Sequence, residues 1–135
     1  MSATRDGFLR SSVTHVASAF LAMGSWAAFA NWAHPMPAPL YAGAIQGAIS
    51  ACITLFLKRA TEGLSGRLNG LAALLVPPVA AFIVSASLLS AIHIASGTPE
   101  VAATIALPLS VSTGYAALYS FALWRTKKVD HDERN

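Results

Sequence analysis

Four long stretches of the chain are apolar on most successive residues and contain no Asp, Glu, Lys or Arg. They cover residues 13–32, 40–57, 71–94 and 101–124. Each has about the 20 residues that a helix rising about 1.5 Å per residue needs to cross a hydrocarbon layer of about 30 Å. The pattern therefore predicts an all-α integral membrane protein with four spanning helices.

The composition supports this class. Hydrophobic residues make up 55% of the 135 residues and charged residues only 11%, against about 25% charged residues in a typical soluble domain. A soluble domain is excluded, because too little polar surface would face water. The length fits a single transmembrane domain over residues 1–135.

The positive charges predict an orientation. All nine Lys and Arg lie before the first stretch, between the second and third, or after the fourth. They are Arg5, Arg10, Lys58, Arg59, Arg67, Arg125, Lys127, Lys128 and Arg134. The positive-inside rule places both termini, a loop over 58–70 and a tail over 125–135 on the cytoplasmic side of a cell inner (plasma) membrane. Cations in such flanking positions face anionic lipid, so we expect the bilayer as a partner and no nucleic acid.

The first stretch has a second interpretation. Basic residues precede an apolar run that ends in Ala28, Phe29 and Ala30, which resembles the small-x-small site of a cleaved signal peptide. The run is longer than the usual h-region of about 7–15 residues and continues through Trp32. Its length favours a retained helix, and cleavage remains the alternative.

The links between the first two and the last two stretches are short and carry no cation. Short links make consecutive helices antiparallel neighbours, which predicts two helical hairpins in an up-down four-helix bundle. Thr98, Pro99 and Glu100 resemble a helix start, with Thr98 as the capping residue.

Small and polar residues share one face of the second helix. They are Gly43, Gln46, Gly47, Ser50 and Thr54. Small residues four apart let two helices approach closely, so the face is either an internal packing surface or an oligomer seam. We expect Gln46 to form an amide hydrogen bond between helices.

Two further stripes contain polar groups within the spans. In the first helix the stripe is His15, Ser18, Ala22 and Ser25; in the fourth it is Pro108, Ser112, Tyr115 and Tyr119. Hydroxyl groups and imidazole lack partners in lipid, so the two stripes are expected to face each other or a hydrated crevice.

Proline residues predict irregular helices. Pro77 and Pro78 in the third helix and Pro108 in the fourth remove backbone donors, so a kink or break is expected. Such sites can form a transport pathway, here with Ser112 and Tyr115. A static kink is the simpler interpretation.

Candidate ligands for a metal lie near the end opposite the cations. The candidates are His34, Met36 and His93, with Glu100 at a similar depth. His with Met is a soft ligand set suited to copper, whereas His with a carboxylate would suit zinc or a proton relay. The prolines around His34 equally predict a rigid turn without a ligand.

The sequence contains no phosphate-binding loop, nucleophile elbow, HExxH motif or paired carboxylates. We therefore expect a non-enzymatic protein without a cofactor. The leading hypothesis is a small accessory or structural subunit that forms a homo-oligomer or docks on another membrane protein. The alternative is a transporter or channel subunit for a small solute or a lipid-like molecule, using the kinked third and fourth helices.

Overall fold

The computed structural model describes the backbone of residues 2–134 and the side chains of residues 13–134. Within this part the chain is all-α, with four helices and no strand. The helices are α1 (Ser2–Ala30), α2 (Ala38–Arg67), α3 (Gly70–Ala95) and α4 (Val101–Asp132). All four are long and apolar enough to cross a membrane, which confirms the predicted class of a helical, multi-pass chain. The side chains of Arg5 and Arg10 lie outside the described residues.

Consecutive helices pack on each other. The most extensive contacts are between α1 and α2 and between α3 and α4; α2 also contacts both α3 and α4, and α1 contacts α4. Within the described residues α1 and α3 do not contact. Because α1 packs on α2 and only to a small extent on α4, much of its surface remains uncovered.

Residues at every fourth position, most of them small, form the buried faces of α3 and α4. The buried residues of α3 are Ala73, Pro77, Ala81, Ser85, Leu89 and His93. Those of α4 are Thr104, Pro108, Ser112, Ala116 and Ser120. In lipid, close contact between helix backbones replaces the hydrophobic drive that associates helices in water. A central cluster of Leu57, Ala81 and Ala116 connects α2 to this pair.

Glycines bring α1 and α2 into backbone contact. A Cβ atom on Gly24 would lie 2.8 Å from the carbonyl oxygen of Gly43, and one on Gly43 would lie 2.9 Å from the oxygen of Gly24. A Cβ on Gly47 would lie 2.9 Å from the carbonyl oxygen of Phe20. The face that contains Gly43 and Gly47 is therefore a packing surface inside the molecule. Since α1 covers it, the two glycines are not available as an oligomer seam.

The connection between α2 and α3 differs from the predicted loop over 58–70. Helix α2 continues through Arg67, and only two residues, 68 and 69, separate it from α3. Most of the predicted tail over 125–135 is also helical, because α4 ends at Asp132. The loop assignment is therefore wrong for residues 58–67. Its cytoplasmic location stays a prediction.

Contacts between helices explain the extra length of α2 and α4. The hydroxyl of Tyr119 on α4 donates to Glu62 Oε1 on α2 at 2.6 Å. Lys127 Nζ donates to the backbone oxygen of Ser65, and to that of Leu68 at 3.3 Å. These bonds hold the last turns of α2 against α4. The glycines and charged residues of this segment predicted a solvated loop. The contacts from α4 that support a helix are visible only in the structure.

The start of α4 also differs from the prediction. The residue preceding the helix is Glu100, and its side chain makes no capping hydrogen bond. The hydroxyl of Thr98 instead lies 2.8 Å from Nδ1 of His93. Thr98 is therefore not the helix cap, because its hydroxyl bonds to a side chain at the end of α3.

The prolines do not interrupt the helices. Helix α3 continues through Pro77 and Pro78, and α4 continues through Pro108. Pro77 and Pro108 lie on the buried faces. A break at these positions is excluded, and a role in a transport pathway stays a prediction.

Candidate functional site

Asn31 is the centre of a buried polar cluster at the end of the molecule that holds the links over 31–37 and 96–100. We call this end the turn end. Asn31 Nδ2 donates to the backbone oxygen of Ala27 at 2.8 Å and to Thr104 Oγ1 at 2.7 Å. Its Oδ1 accepts from the backbone nitrogen of Glu100 at 2.9 Å. Asn31 is fully buried, so this one amide ties the end of α1 to the start of α4.

The Thr104 hydroxyl continues this cluster by donating to the backbone oxygen of Glu100 at 2.6 Å. Nearby, Trp26 Nε1 donates to the backbone oxygen of Ala103 at 3.0 Å. Both bonds end on backbone carbonyl oxygens at the start of α4, and the bond from Trp26 joins α1 to this first turn. The sequence interpretation missed Asn31, Thr104 and Trp26. A lone amide at the end of an apolar span was the available signal for Asn31.

His93 connects α3 to α2 within the same end. Its Nε2 lies 2.8 Å from Gln46 Oε1, and Gln46 Nε2 donates to Ser50 Oγ at 2.8 Å. An amide oxygen can only accept, so His93 Nε2 donates and Nδ1 is free to accept from the Thr98 hydroxyl. This arrangement fits a neutral imidazole. The predicted hydrogen bond from Gln46 to another helix is confirmed.

The other predicted metal ligands are separated by their contacts. His34 Nε2 lies 3.0 Å from Glu100 Oε1 in a pair that is partly exposed, and Met36 is exposed. Both ring nitrogens of His93 already have protein partners. Among the described residues no group of three or more His, Cys, Asp or Glu could hold a metal ion. The copper hypothesis therefore gains no support from the geometry.

The turn end as a whole is suited to holding helices together. Its polar groups bond to one another, and the bonds join α1 to α4 and α2 to α3. Its chemistry is that of an interhelical clamp.

The predicted polar stripe of α1 does not face the interior. His15, Ser18, Ala22 and Ser25 are all exposed. The opposite side of α1, which includes Gly24, Ala27 and Asn31, is the buried one. The expectation of a hydrated internal crevice is wrong for α1, because close packing on α2 requires the glycine side. We call His15, Ser18, Ala22 and Ser25 the α1 polar face.

The fourth-helix stripe is divided between two sides. Pro108 and Ser112 are buried, whereas Tyr115 is 41% exposed. The rings of Tyr115 and Tyr119 stack with their centroids 5.7 Å apart. The two predicted stripes therefore do not meet. Among the described residues, α1 presents the exposed polar residues His15, Ser18 and Ser25 along one side of its apolar span.

Comparison with known protein families, characterised proteins and solved structures finds no match to this chain. The residues and geometry of the chain itself therefore carry the functional argument.

Proposed function

We propose that this protein is a non-enzymatic structural subunit of the cell inner membrane that self-associates through the α1 polar face. In this proposal the helices form an up-down bundle with both termini in the cytoplasm. One observation carries it: α1 exposes His15, Ser18 and Ser25 along one side of a span that is apolar over most of its length.

Exposed polar groups at this depth favour a protein partner over lipid. The hydroxyls of Ser18 and Ser25 make no hydrogen bond within the described residues. His15 is the third residue of the apolar span Val13–Ala30, so it lies near the end of that span. Ionisable residues within such spans almost always face other protein or water.

The spacing of the α1 polar face suits a second copy of the same helix. Ser18 and Ala22 are four residues apart, and Ser25 follows at the next turn. Small residues at this spacing permit backbone contact between helices, and serine hydroxyls can bond across the contact. Copies that share one orientation in the membrane would meet with their α1 helices parallel. A two-fold axis along the membrane normal would then place identical residues opposite each other.

The subunit count tests this proposal. Native mass spectrometry in mild detergent should give a dimer or larger homo-oligomer for the full-length chain. A Ser18→Leu, Ser25→Leu double variant adds bulk to the face and should shift the protein toward monomer. Ser110→Leu is the matched control, because Ser110 is an exposed serine on α4. A monomeric parent, or a double variant that assembles like the parent, would contradict self-association through this face.

A further inference from the structure

A partly enclosed groove of about 460 Å³ runs between α2 and α3. Its walls are mainly apolar and include Phe56, Leu57 and Leu64 from α2 and Pro77, Val84 and Leu88 from α3. The volume lies within the range of about 300–1,000 Å³ that is typical of ligand sites. Alanines at positions 60, 80 and 81 line the groove and leave this space open.

The α2 wall of the groove is about as long as one membrane leaflet, and the half nearer Leu64 is interspersed with the charged residues Lys58, Arg59 and Glu62. This wall extends from Cys52 to Leu64, or roughly 18 Å at the rise of a helix. Half of a hydrocarbon core of about 30 Å is about 15 Å. Phe56, Val84 and Leu88 are all exposed, so the groove opens sideways toward the hydrocarbon. Its shape and lining are those required by an extended acyl chain.

Two arginines flank the α2 wall of the groove: Arg59 lies between the lining residues Leu57 and Ala60, and Arg67 lies beyond Leu64. Arg59 follows Phe56 by three residues, and Arg67 follows Leu64 by three residues. Residues three apart on a helix are neighbours on its surface, so both arginines border the groove. Both are exposed, and neither has an acidic partner among the described side chains. Long basic side chains extend to the interface, where they bind phosphate.

We infer that the α2–α3 groove binds one acyl chain of an anionic phospholipid, with the lipid phosphate held by Arg59 and Arg67. The acyl chain extends from the level of Arg59 past Leu57 toward Cys52 and Leu88, and Arg67 reaches the phosphate from about two turns further along α2. This site is separate from the α1 polar face and does not depend on the proposed self-association. The charge of the two arginines selects an anionic lipid over a zwitterionic one, and the apolar walls select a lipid over a soluble phosphate.

Lipid retention in native mass spectrometry tests the site. The full-length protein is reconstituted in nanodiscs that contain equal amounts of phosphatidylcholine and phosphatidylglycerol. It is then released into mild detergent, and the mass of the protein with its retained lipids is measured. We expect preferential retention of phosphatidylglycerol. An Arg59→Gln, Arg67→Gln variant should weaken its retention at least about tenfold relative to phosphatidylcholine. An Arg125→Gln, Arg134→Gln variant removes two cations away from the groove and should retain it like the parent. Equal retention of both lipids by the parent, or loss in both variants alike, would overturn the charge selection.

Filling the groove tests the acyl-chain position. Ala60→Phe adds a ring to the groove wall, and Ala117→Phe adds the same ring to an exposed position on α4. Only Ala60→Phe should lose the lipid. Unchanged lipid retention by a folded Ala60→Phe variant would overturn the proposal. A changed number of subunits in this variant would also overturn it, because that result would indicate that a second copy of the chain covers the groove.

A second measurement uses the unchanged chain. Cys52 lines the groove and is the only cysteine, so its reaction with N-ethylmaleimide in detergent reports occupancy. Added phosphatidylglycerol should slow the reaction more than added phosphatidylcholine does. Equal rates with and without phosphatidylglycerol would contradict binding in this groove.

Discussion

The imidazole of His93 on α3 and the side-chain amide of Gln46 on α2 meet at 2.8 Å, and both side chains are fully buried. His93 Nε2 and Gln46 Oε1 bond to each other, while the other nitrogen of His93 bonds to Thr98 and the amide nitrogen of Gln46 bonds to Ser50. This pair, with the Asn31 and Thr104 pair, joins all four helices at the turn end. The energetic value of these bonds can be measured directly.

Removing one member of the first pair should destabilise the fold. Gln46→Leu leaves His93 Nε2 buried without a partner, which we expect to lower the free energy of unfolding by about 1–3 kcal/mol. The measurement is unfolding in mixed dodecyl maltoside and dodecyl sulfate micelles. Thr54→Val is the control, because Thr54 donates only to the carbonyl of Ser50 in its own helix. A Gln46→Leu variant as stable as this control would show that the bond contributes little.

A double-mutant cycle isolates the bond itself. The coupling between Gln46→Leu and His93→Leu should be about 0.6 kcal/mol and at most about 1.7 kcal/mol, the range found for interhelical hydrogen bonds in membranes. Coupling indistinguishable from zero would mean that the two residues contribute to stability independently.

Asn31 should be the most costly polar residue of the turn end. Asn31→Ala removes three hydrogen bonds and leaves the backbone nitrogen of Glu100 without its acceptor. We expect a loss of about 2–3 kcal/mol in the same unfolding assay. Ser110→Ala serves for comparison, because that hydroxyl is exposed and bonds only within α4. Equal losses for the two variants would contradict the assignment of Asn31 as an interhelical clamp.

The surface pair of His34 and Glu100 should contribute much less. Its side chains are 34% and 53% exposed, and exposed pairs of this kind contribute about 0–1 kcal/mol. Glu100→Gln should therefore change the free energy of unfolding by less than about 1 kcal/mol. A larger loss would indicate that this pair has a structural role comparable with that of Asn31.

Two glycine substitutions should change stability in opposite directions. Gly24→Ala places a methyl group 2.8 Å from the Gly43 carbonyl oxygen and forces α1 away from α2, with an expected loss of about 1–3 kcal/mol. Gly63→Ala meets no atom within 4 Å and lies inside α2. It should gain about 0.5–1 kcal/mol, because alanine is the better helix former. Paired thermal unfolding curves give the comparison, and a loss in both variants would contradict the close packing described for Gly24.

The sequence predicted the four spans because each span is apolar over its whole length. It also placed His34, His93 and Glu100 at a common end. It could not show which side of α1 faces inward. The serines suggested that the polar side is buried, whereas Gly24, on the opposite side, allows close packing on α2. The contact with Gly43 decides the outcome, and that contact depends on tertiary structure.

The ends of the helices were the weakest part of the sequence interpretation. Glycine and charge at 58–70 suggested a loop, yet contacts from Tyr119 and Lys127 support a helix through Arg67. Thr98 resembled a helix cap because its hydroxyl precedes Pro99. Its actual partner, His93, lies five residues earlier, and the sequence alone does not specify that pairing.

Disulfide crosslinking in native membranes tests the central claim, self-association through α1, most directly. In a Cys52→Ala background, Ser18→Cys or Ser25→Cys should form covalent homodimers on mild oxidation, because parallel α1 helices would bring identical residues within the Cα separation of about 4.4–6.8 Å that a disulfide needs. Leu118→Cys on α4, where the parent side chain is 74% exposed, should remain monomeric. Efficient crosslinking at residue 118, with none at 18 or 25, would contradict the account.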